Sequence, residues 1–155
     1  MPRLLVVHHS VSPVLDELLD AALKGARHPD IDGVDVVTTA ALAASAAEAV
    51  AADGYLLVTP ANLGSMSGAL KHWFDTVYYP CLRESTGRPY AVIVHGNNDT
   101  TGAVRSIRAV VTGLTWTAVA PALEVVGAPD ATSREAAREL GATLAAVLSD
   151  RASAD

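Results

Sequence analysis

The chain has 155 residues, of which 50% are hydrophobic and 18% are charged, so its length suits one folded domain with a substantial core. Eleven Lys and Arg against 17 Asp and Glu give a formal net charge of -6. This charge has the wrong sign for a protein whose main partner is nucleic acid or an anionic membrane. A single cysteine, Cys81, excludes an intrachain disulfide and favours a reducing, cytoplasmic location.

No apolar run approaches the roughly 18 residues of a membrane span, and the apolar stretch Leu4–Val7 is too short for a secretory signal. We therefore expect a cytoplasmic protein without a membrane span. We expect a single domain over residues 1–150, followed by a C-terminal tail over residues 151–155.

The predicted elements alternate between strands and helices. Arg3–His8 is a largely apolar run, typical of a strand buried on both faces. Ser12 and Pro13 then supply a cap and a first-turn proline for a helix that should end near Gly25. Further strands are predicted at Val34–Thr38, Tyr55–Thr59, Tyr90–His95 and Thr117–Val126, the last broken or bulged near Pro121. Further helices are predicted at Ala41–Ala52, Met66–Val77, Ala103–Thr112 and Ser133–Leu148.

Strands joined by helices predict an α/β fold, a three-layer α/β/α sandwich with a five-stranded parallel sheet in the order 2-1-3-4-5. In such sheets ligands bind at the carboxyl ends of the strands, where the strand order reverses. Three loops meet this condition: His8–Val14, Pro60–Ser67 and His95–Gly102.

The first of these loops runs directly into a helix. Its backbone amides and the hydroxyls of Ser10 and Ser12 should therefore lie at the positive end of the helix dipole, where an anion such as phosphate would fit. The alternative is that Ser12 only caps the helix and Ser10 bonds within its own turn. Without a glycine-rich cradle or a lysine, the loop is not a P-loop.

The second loop carries the most specific pattern. It resembles the flavin-binding segment of the NADPH-dependent FMN reductase group, within the flavodoxin-like superfamily. The matching positions, all in register, are Pro60, Gly64, Ser65, Met66, Leu70, Lys71, Phe74 and Asp75.

Each part of that segment has an expected role. Pro60 should turn the chain away from the sheet, and Gly64 should let the backbone approach a flat ring. The amides of Ser65 and Met66 should then face ring heteroatoms. Lys71 and Asp75 are four residues apart on the following helix and should pair with each other.

The resemblance implies that FMN is bound by all three loops. Its phosphate would contact Ser10, Ser12, Pro13 and Val14. Its ring would lie along Pro60, Ala61, Asn62, Leu63, Gly64, Ser65 and Met66 on one side and Gly96, Asn97, Asn98, Asp99 and Thr100 on the other. The polar residues of the third loop are equally typical of a turn and a helix cap.

The chain departs from the flavodoxin pattern in the first loop, where Pro13 replaces a glycine and Leu15 replaces a threonine. Asn62 and Leu63 also stand where an aromatic residue often stacks on the flavin, which favours a ring face open to a substrate.

Other chemistry is not supported. His8 and His9 point to opposite faces of a strand, so we predict no metal site. Met66 occupies the position of the serine in a nucleophile elbow, which excludes that hydrolase motif. No catalytic side chain is predicted, and Cys81 is expected to be packed rather than reactive.

The resemblance thus implies an FMN-dependent oxidoreductase that takes electrons from NADPH or NADH and passes them to a quinone or similar small-molecule acceptor. One alternative is a flavodoxin-like electron-transfer protein without its own NAD(P)H activity. Another is a scaffold that has lost the flavin. A homo-dimer or higher homo-oligomer is expected from the same resemblance.

Overall fold

The computed structural model describes residues 1–43 and 45–155. The strands are β1 Arg3–His8, β2 Asp35–Ala40, β3 Gly54–Asn62, β4 Ser65–Met66, β5 Pro89–Gly96, β6 Thr117–Ala118 and β7 Leu123–Val126. The α-helices are α1 Pro13–Ala26, α2 Ala46–Ala51, α3 Gly68–Cys81, α4 Thr101–Leu114 and α5 Ala131–Ala154.

The sheet confirms the predicted order. β2, β1, β3 and β5 lie side by side in parallel, and the two short strands β6 and β7 both pair with β5. The fifth predicted strand is therefore present in two pieces, interrupted around Pro121 as the sequence indicates. β4 is additional and forms an antiparallel hairpin with β3.

Each face of the sheet packs against its own helices, and alternation along the strands sorts the side chains between them. Leu4 and Val6 of β1 join the core beneath α1 and α5. Leu5 and Val7 join the core beneath α3 and α4. All four are fully buried, so the strands bury both faces, as the apolar run Arg3–His8 predicts.

Several boundaries differ from the sequence prediction. The second helix begins at Ala46 because Ala41–Ala43 form a 3-10 turn and the Ser45 hydroxyl caps α2 by accepting from the Glu48 amide at 3.2 Å. Ala44, part of that prediction, lies outside the described residues. The last helix continues through Ala154 and so includes most of the segment expected to form a tail.

None of the helices in the described part of the chain combines the length and apolar character that crossing a membrane requires. Across residues 1–43 and 45–155, no group of three or more His, Cys, Asp or Glu is arranged to hold a metal ion. Cys81 is fully buried, and burial raises the pKa of its thiol above the usual value.

Candidate cofactor site

The strand register brings the three loops to one edge of the sheet. His8, the last residue of β1, pairs with Val58 of β3, and Pro60 pairs with His95 of β5. The loops that follow these three strands therefore leave the sheet side by side, at the reversal of strand order.

The first loop presents unpaired backbone donors at the start of α1. The Ser12 hydroxyl caps the helix by accepting from the Leu15 amide at 3.3 Å. Within the described part of the chain, the amides of Ser10, Val11, Ser12 and Val14 have no hydrogen-bond acceptor. Free amides at a helix N-terminus are the donors that bind phosphate groups.

Two side chains modify this loop. The Ser10 hydroxyl donates to the Asp16 carboxylate in the first turn of α1. Burial lowers the pKa of His8 below its usual value, an effect that the nearby Asp16 carboxylate only partly opposes. The lowered pKa favours the neutral form of the His8 imidazole, so the backbone amides supply the positive potential of the loop.

The second loop is a tight hairpin. Pro60 is the last residue of β3 that pairs with β5, so the chain leaves the parallel sheet after it, but the turn itself lies further on. β3 continues to Asn62, which pairs with Ser65, and the turn is made by Leu63 at φ 51° and Gly64 at φ 75°. Two consecutive residues with positive φ are typical of a two-residue hairpin turn.

Pro60 can stay within the strand because of its position. The Val58 carbonyl accepts from the His9 amide at 2.9 Å, so Val58 faces β1. The backbone N–H and C=O groups of successive residues in a strand point to alternate sides. The backbone of Pro60 therefore points toward β1, as that of Val58 does, but β1 has already ended at His8. A proline there costs no hydrogen bond of the sheet.

The expected free amide at Met66 is wrong. Met66 donates its amide to the Ser106 hydroxyl of α4 at 3.0 Å, and the following residue, Ser67, donates its amide to the Thr59 hydroxyl at 3.1 Å. These bonds fix the hairpin against α4 and β3. The predicted local pair is confirmed, since Lys71 Nζ lies 2.6 Å from the Asp75 carboxylate.

The third loop divides into an exposed part and an anchored part. Asn97, Asn98 and Asp99 are exposed, whereas Thr100 is 4% exposed and donates its hydroxyl to the Glu124 carboxylate at 2.9 Å. The Asp99 carboxylate accepts from the Thr101 amide at 3.0 Å and the Thr101 hydroxyl at 2.8 Å. These two hydrogen bonds hold the pKa of Asp99 below its usual value.

A cavity of about 340 Å³ lies between the second and third loops. Its lining residues are Ala61, Leu63, Gly64, Asn97, Asn98, Asp99, Gly102 and Ala103. The first six were candidates in the sequence, so the structure brings these parts of the two loops together.

The other candidates are not part of the cavity's lining. Gly96 is packed beneath the third loop, because a Cβ there would come within 2.5 Å of the Asp99 carbonyl. The remaining candidates outside the lining are Ser10, Ser12, Pro13, Val14, Pro60, Asn62, Ser65, Met66 and Thr100.

Sequence reasoning missed Gly102 and Ala103. A Cβ on Gly102 would lie 2.0 Å from the Gly64 carbonyl oxygen, so α4 can approach the hairpin only because residue 102 is glycine. A glycine in the first turn of a helix, where it lowers helix propensity, was the signal available in the sequence.

The residues present fit FMN. The four unpaired amides at the start of α1 suit a phosphate, and the cavity beside the hairpin suits a flat ring. A Cβ built on Gly64 meets no atom within 4 Å, so open space adjoins the backbone where the ring is expected. The Asp16 carboxylate, which accepts from the Ser10 hydroxyl, opposes an anion near this loop.

The fold has well-matched relatives among solved structures. A flavodoxin from the domain Archaea has a TM-score of 0.80 at 17% identity, covering 94% of this chain and 98% of that one. A flavodoxin, WrbA-like protein from Agrobacterium tumefaciens has a TM-score of 0.76 at 18% identity, covering 97% and 99%. Oxidised flavodoxin 1 from Bacillus cereus has a TM-score of 0.77 at 18% identity, covering 92% and 96%.

These matches define the fold as flavodoxin-like. The model of the NADPH-dependent FMN reductase family matches residues 30–130, well over half of the chain. The chain belongs to this family, as its second loop indicates, and we interpret it as a flavodoxin-like flavoprotein. The matched range includes the second and third loops but begins after the first. No curated protein matches the chain.

Proposed function

We propose that the protein is an FMN-binding oxidoreductase that takes electrons from NADPH or NADH and delivers them to a quinone or similar small acceptor. The observation that carries this proposal is the cavity between the second and third loops, at the edge of the sheet from which the loop with unpaired amides at the start of α1 also leaves. The family match supports the same cofactor.

The chain's own residues would bind and orient the cofactor. The amides of Ser10, Val11, Ser12 and Val14 would donate to the phosphate. Ala61 and Gly64 would border one side of the ring and Asn97 and Asn98 the other, with their amide side chains able to donate to or accept from polar ring atoms.

The hairpin would hold its shape while the ring binds. Its tip is set by the turn at Leu63 and Gly64, and its base is tied to α4 by the bond from the Met66 amide to Ser106. A preorganised wall of this kind orients a cofactor without a further loss of conformational freedom on binding.

The side chain of Leu63 is fully exposed at the tip of the hairpin. Because this side chain does not pack over the cavity, a nicotinamide or a quinone could approach the cavity from this side. Bound FMN would supply the redox chemistry, the transfer of two electrons from NAD(P)H to a quinone, with the second of the quinone's two protons taken from solvent. No acid or base on the protein is required for that exchange.

Anaerobic reduction tests the nicotinamide part of the proposal. The purified protein is loaded with FMN, freed of excess, and mixed with NADPH or with NADH under anaerobic conditions. We expect the flavin absorbance to bleach without a second protein and to return when a quinone is added. Flavin that stays oxidised with both nucleotides, yet is reduced by a partner reductase, would instead identify an electron carrier.

We also propose a cytoplasmic homo-dimer or higher homo-oligomer. Large apolar side chains are exposed on several loops and on α3, including Val11, Leu42, Leu63 and Tyr79. Light scattering coupled to size-exclusion chromatography tests this, and a monomer mass at micromolar concentration would contradict it.

A further inference from the structure

A second cavity lies away from the proposed cofactor site. It has a volume of about 110 Å³ and lies between α4 and the interruption that separates β6 from β7. None of its lining residues belongs to the cavity between the second and third loops. Its wall combines polar and apolar surface in similar amounts, and Val92, Val104, Ile107 and Ala122 are among the apolar residues that line it.

The interruption leaves one backbone donor of β5 unpaired. The carbonyls of Arg88, just before β5, and of Tyr90 and Gly96 in β5 accept from the amides of Thr117, Val119 and Gly127, so these three residues face the edge strands. By alternation, Val92 faces the same side. Its amide faces the gap between Ala118 and Leu123 and has no acceptor among the residues that the structure describes.

An unpaired amide at this depth is unusual. Val92 is only 5% exposed, and buried backbone N–H groups are almost always satisfied by protein or by a bound molecule. Pro121 also lines the cavity and lies between β6 and β7, in the segment that does not pair with β5. Pro121, which predicts an interruption of the fifth strand in the sequence, therefore lines the same cavity as the unpaired Val92 amide.

Two side chains add donors to the same cavity. Arg108 of α4 and Tyr90 of β5 both line it. Burial raises the pKa of the Tyr90 phenol, and the Arg108 guanidinium partly offsets that rise. Within residues 1–43 and 45–155, Arg108 takes part in no salt bridge.

We propose that this cavity binds a small organic anion, a monocarboxylate with a short apolar body. The carboxylate would accept hydrogen bonds from Arg108 and from the other donors of the cavity, and the apolar body would pack against Val104 and Ile107. An engineered apolar cavity of about 150 Å³ holds benzene, so a volume of 110 Å³ restricts the body to a few carbons.

Amide chemical-shift titration of the full chain tests this proposal with butyrate as the probe and 1-butanol as its neutral counterpart. We expect saturable shifts at Val92, Val104 and Ile107 with butyrate and much weaker effects with 1-butanol. Arg108→Gln should weaken butyrate binding roughly tenfold or more, because a hydrogen bond to a charged group is lost.

Two further variants complete the test. Arg105→Gln removes the same charge one turn earlier on α4, outside the cavity lining, and should leave butyrate binding unchanged. Ala120→Leu fills the cavity and should abolish binding. The proposal fails if Val92 shows no saturable shift, if butyrate and 1-butanol act alike, or if the two arginine variants lose binding equally. Each of these outcomes can be read with or without bound FMN.

Discussion

At the scale of single residues, the proposed cofactor site depends on backbone conformation more than on charged side chains. Gly64 has φ 75° and forms the hairpin tip with Leu63, which accepts φ 51° despite its Cβ. Conformations of this kind cost a non-glycine residue on the order of 1–3 kcal/mol. They persist at Leu63 because β3 and β4 pair on both sides of the turn.

Gly64→Val tests the placement of the ring. The new side chain would occupy the open space beside the hairpin, so we expect FMN affinity to fall at least about tenfold, the equivalent of 1.4 kcal/mol. Isothermal titration with FMN measures the effect.

Gly33→Val is the matched control, because Gly33 also has φ 75° and open space for a Cβ but lies between α1 and β2, outside the three loops. Both variants should lose similar stability, by roughly 1–3 kcal/mol from backbone strain. Equal FMN affinity in the two variants would contradict the placement of the ring.

Asp99 gives a prediction with a defined pH dependence. Its folded-state pKa is lowered by hydrogen bonds from Thr101, so its contribution to stability is present above the unfolded pKa of about 3.9 and is lost as the pH falls through the folded value. Asp99→Ala should therefore destabilise the protein at pH 7, and the difference from wild type should shrink below about pH 4. Urea unfolding across this range measures it.

Asp130→Ala provides the comparison for Asp99→Ala. The Asp130 carboxylate caps α5 by accepting from the Ser133 amide at 2.8 Å, and hydrogen bonds from Ser133 lower its pKa in the same way. Both variants should show the same pH trend, but only Asp99→Ala should weaken FMN binding, because Asp99 lines the cavity. A stability loss at Asp99 that persists unchanged at acid pH would be inconsistent with the assigned cause.

At the scale of elements, the sequence predicts regular segments well and their contacts poorly. Arg3–His8 is predicted without error because both of its faces are buried and apolar. The end of β3 is missed because proline is read as a turn, whereas it lies beyond the last residue of β1. The bond between Met66 and Ser106 joins residues 40 positions apart, so no local pattern could predict it.

The contact between α4 and the hairpin yields a prediction. Gly102→Ala places a Cβ 2.0 Å from the Gly64 carbonyl and should push the start of α4 away from the hairpin. We expect a loss of roughly 1–3 kcal/mol in stability from overpacking, together with weaker FMN binding. Urea unfolding and FMN titration measure the two effects.

Gly141→Ala supplies the control for this contact. Its Cβ would lie 2.0 Å from the Ala22 carbonyl, where α5 packs on α1. The overlap is therefore equal, but it lies between two helices outside the cavity. Gly141→Ala should lose stability and keep its FMN affinity, and a matching loss of affinity there would mean that both changes act through global destabilisation.

The start of α1 yields a second prediction at this scale. Ser12→Ala removes the helix cap, which should cost about 1 kcal/mol of stability, and should weaken FMN binding more than riboflavin binding, because riboflavin lacks the phosphate. Ser45→Ala, which uncaps α2, should leave the ratio of the two affinities unchanged. An unchanged ratio in Ser12→Ala would mean that phosphate binding does not depend on the cap of α1.

At the scale of the whole molecule, the order of strands and helices is enough to predict which loops share an edge of the sheet. It cannot predict which residues of those loops point inward. Asn97, Asn98 and Thr100 are all polar residues of the third loop, so the sequence does not distinguish them as site residues. In the structure the two asparagines line the cavity, whereas Thr100 is buried against Glu124. That division depends on β7, whose pairing with β5 brings Glu124 under the third loop.

The central claim is that these three loops together bind FMN, and an absorbance spectrum tests it most directly. The purified protein is incubated with saturating FMN, separated from the excess by gel filtration, and scanned. We predict a flavin spectrum that stays with the protein. A colourless protein under these conditions would contradict the claim and leave a flavodoxin-like fold without its cofactor.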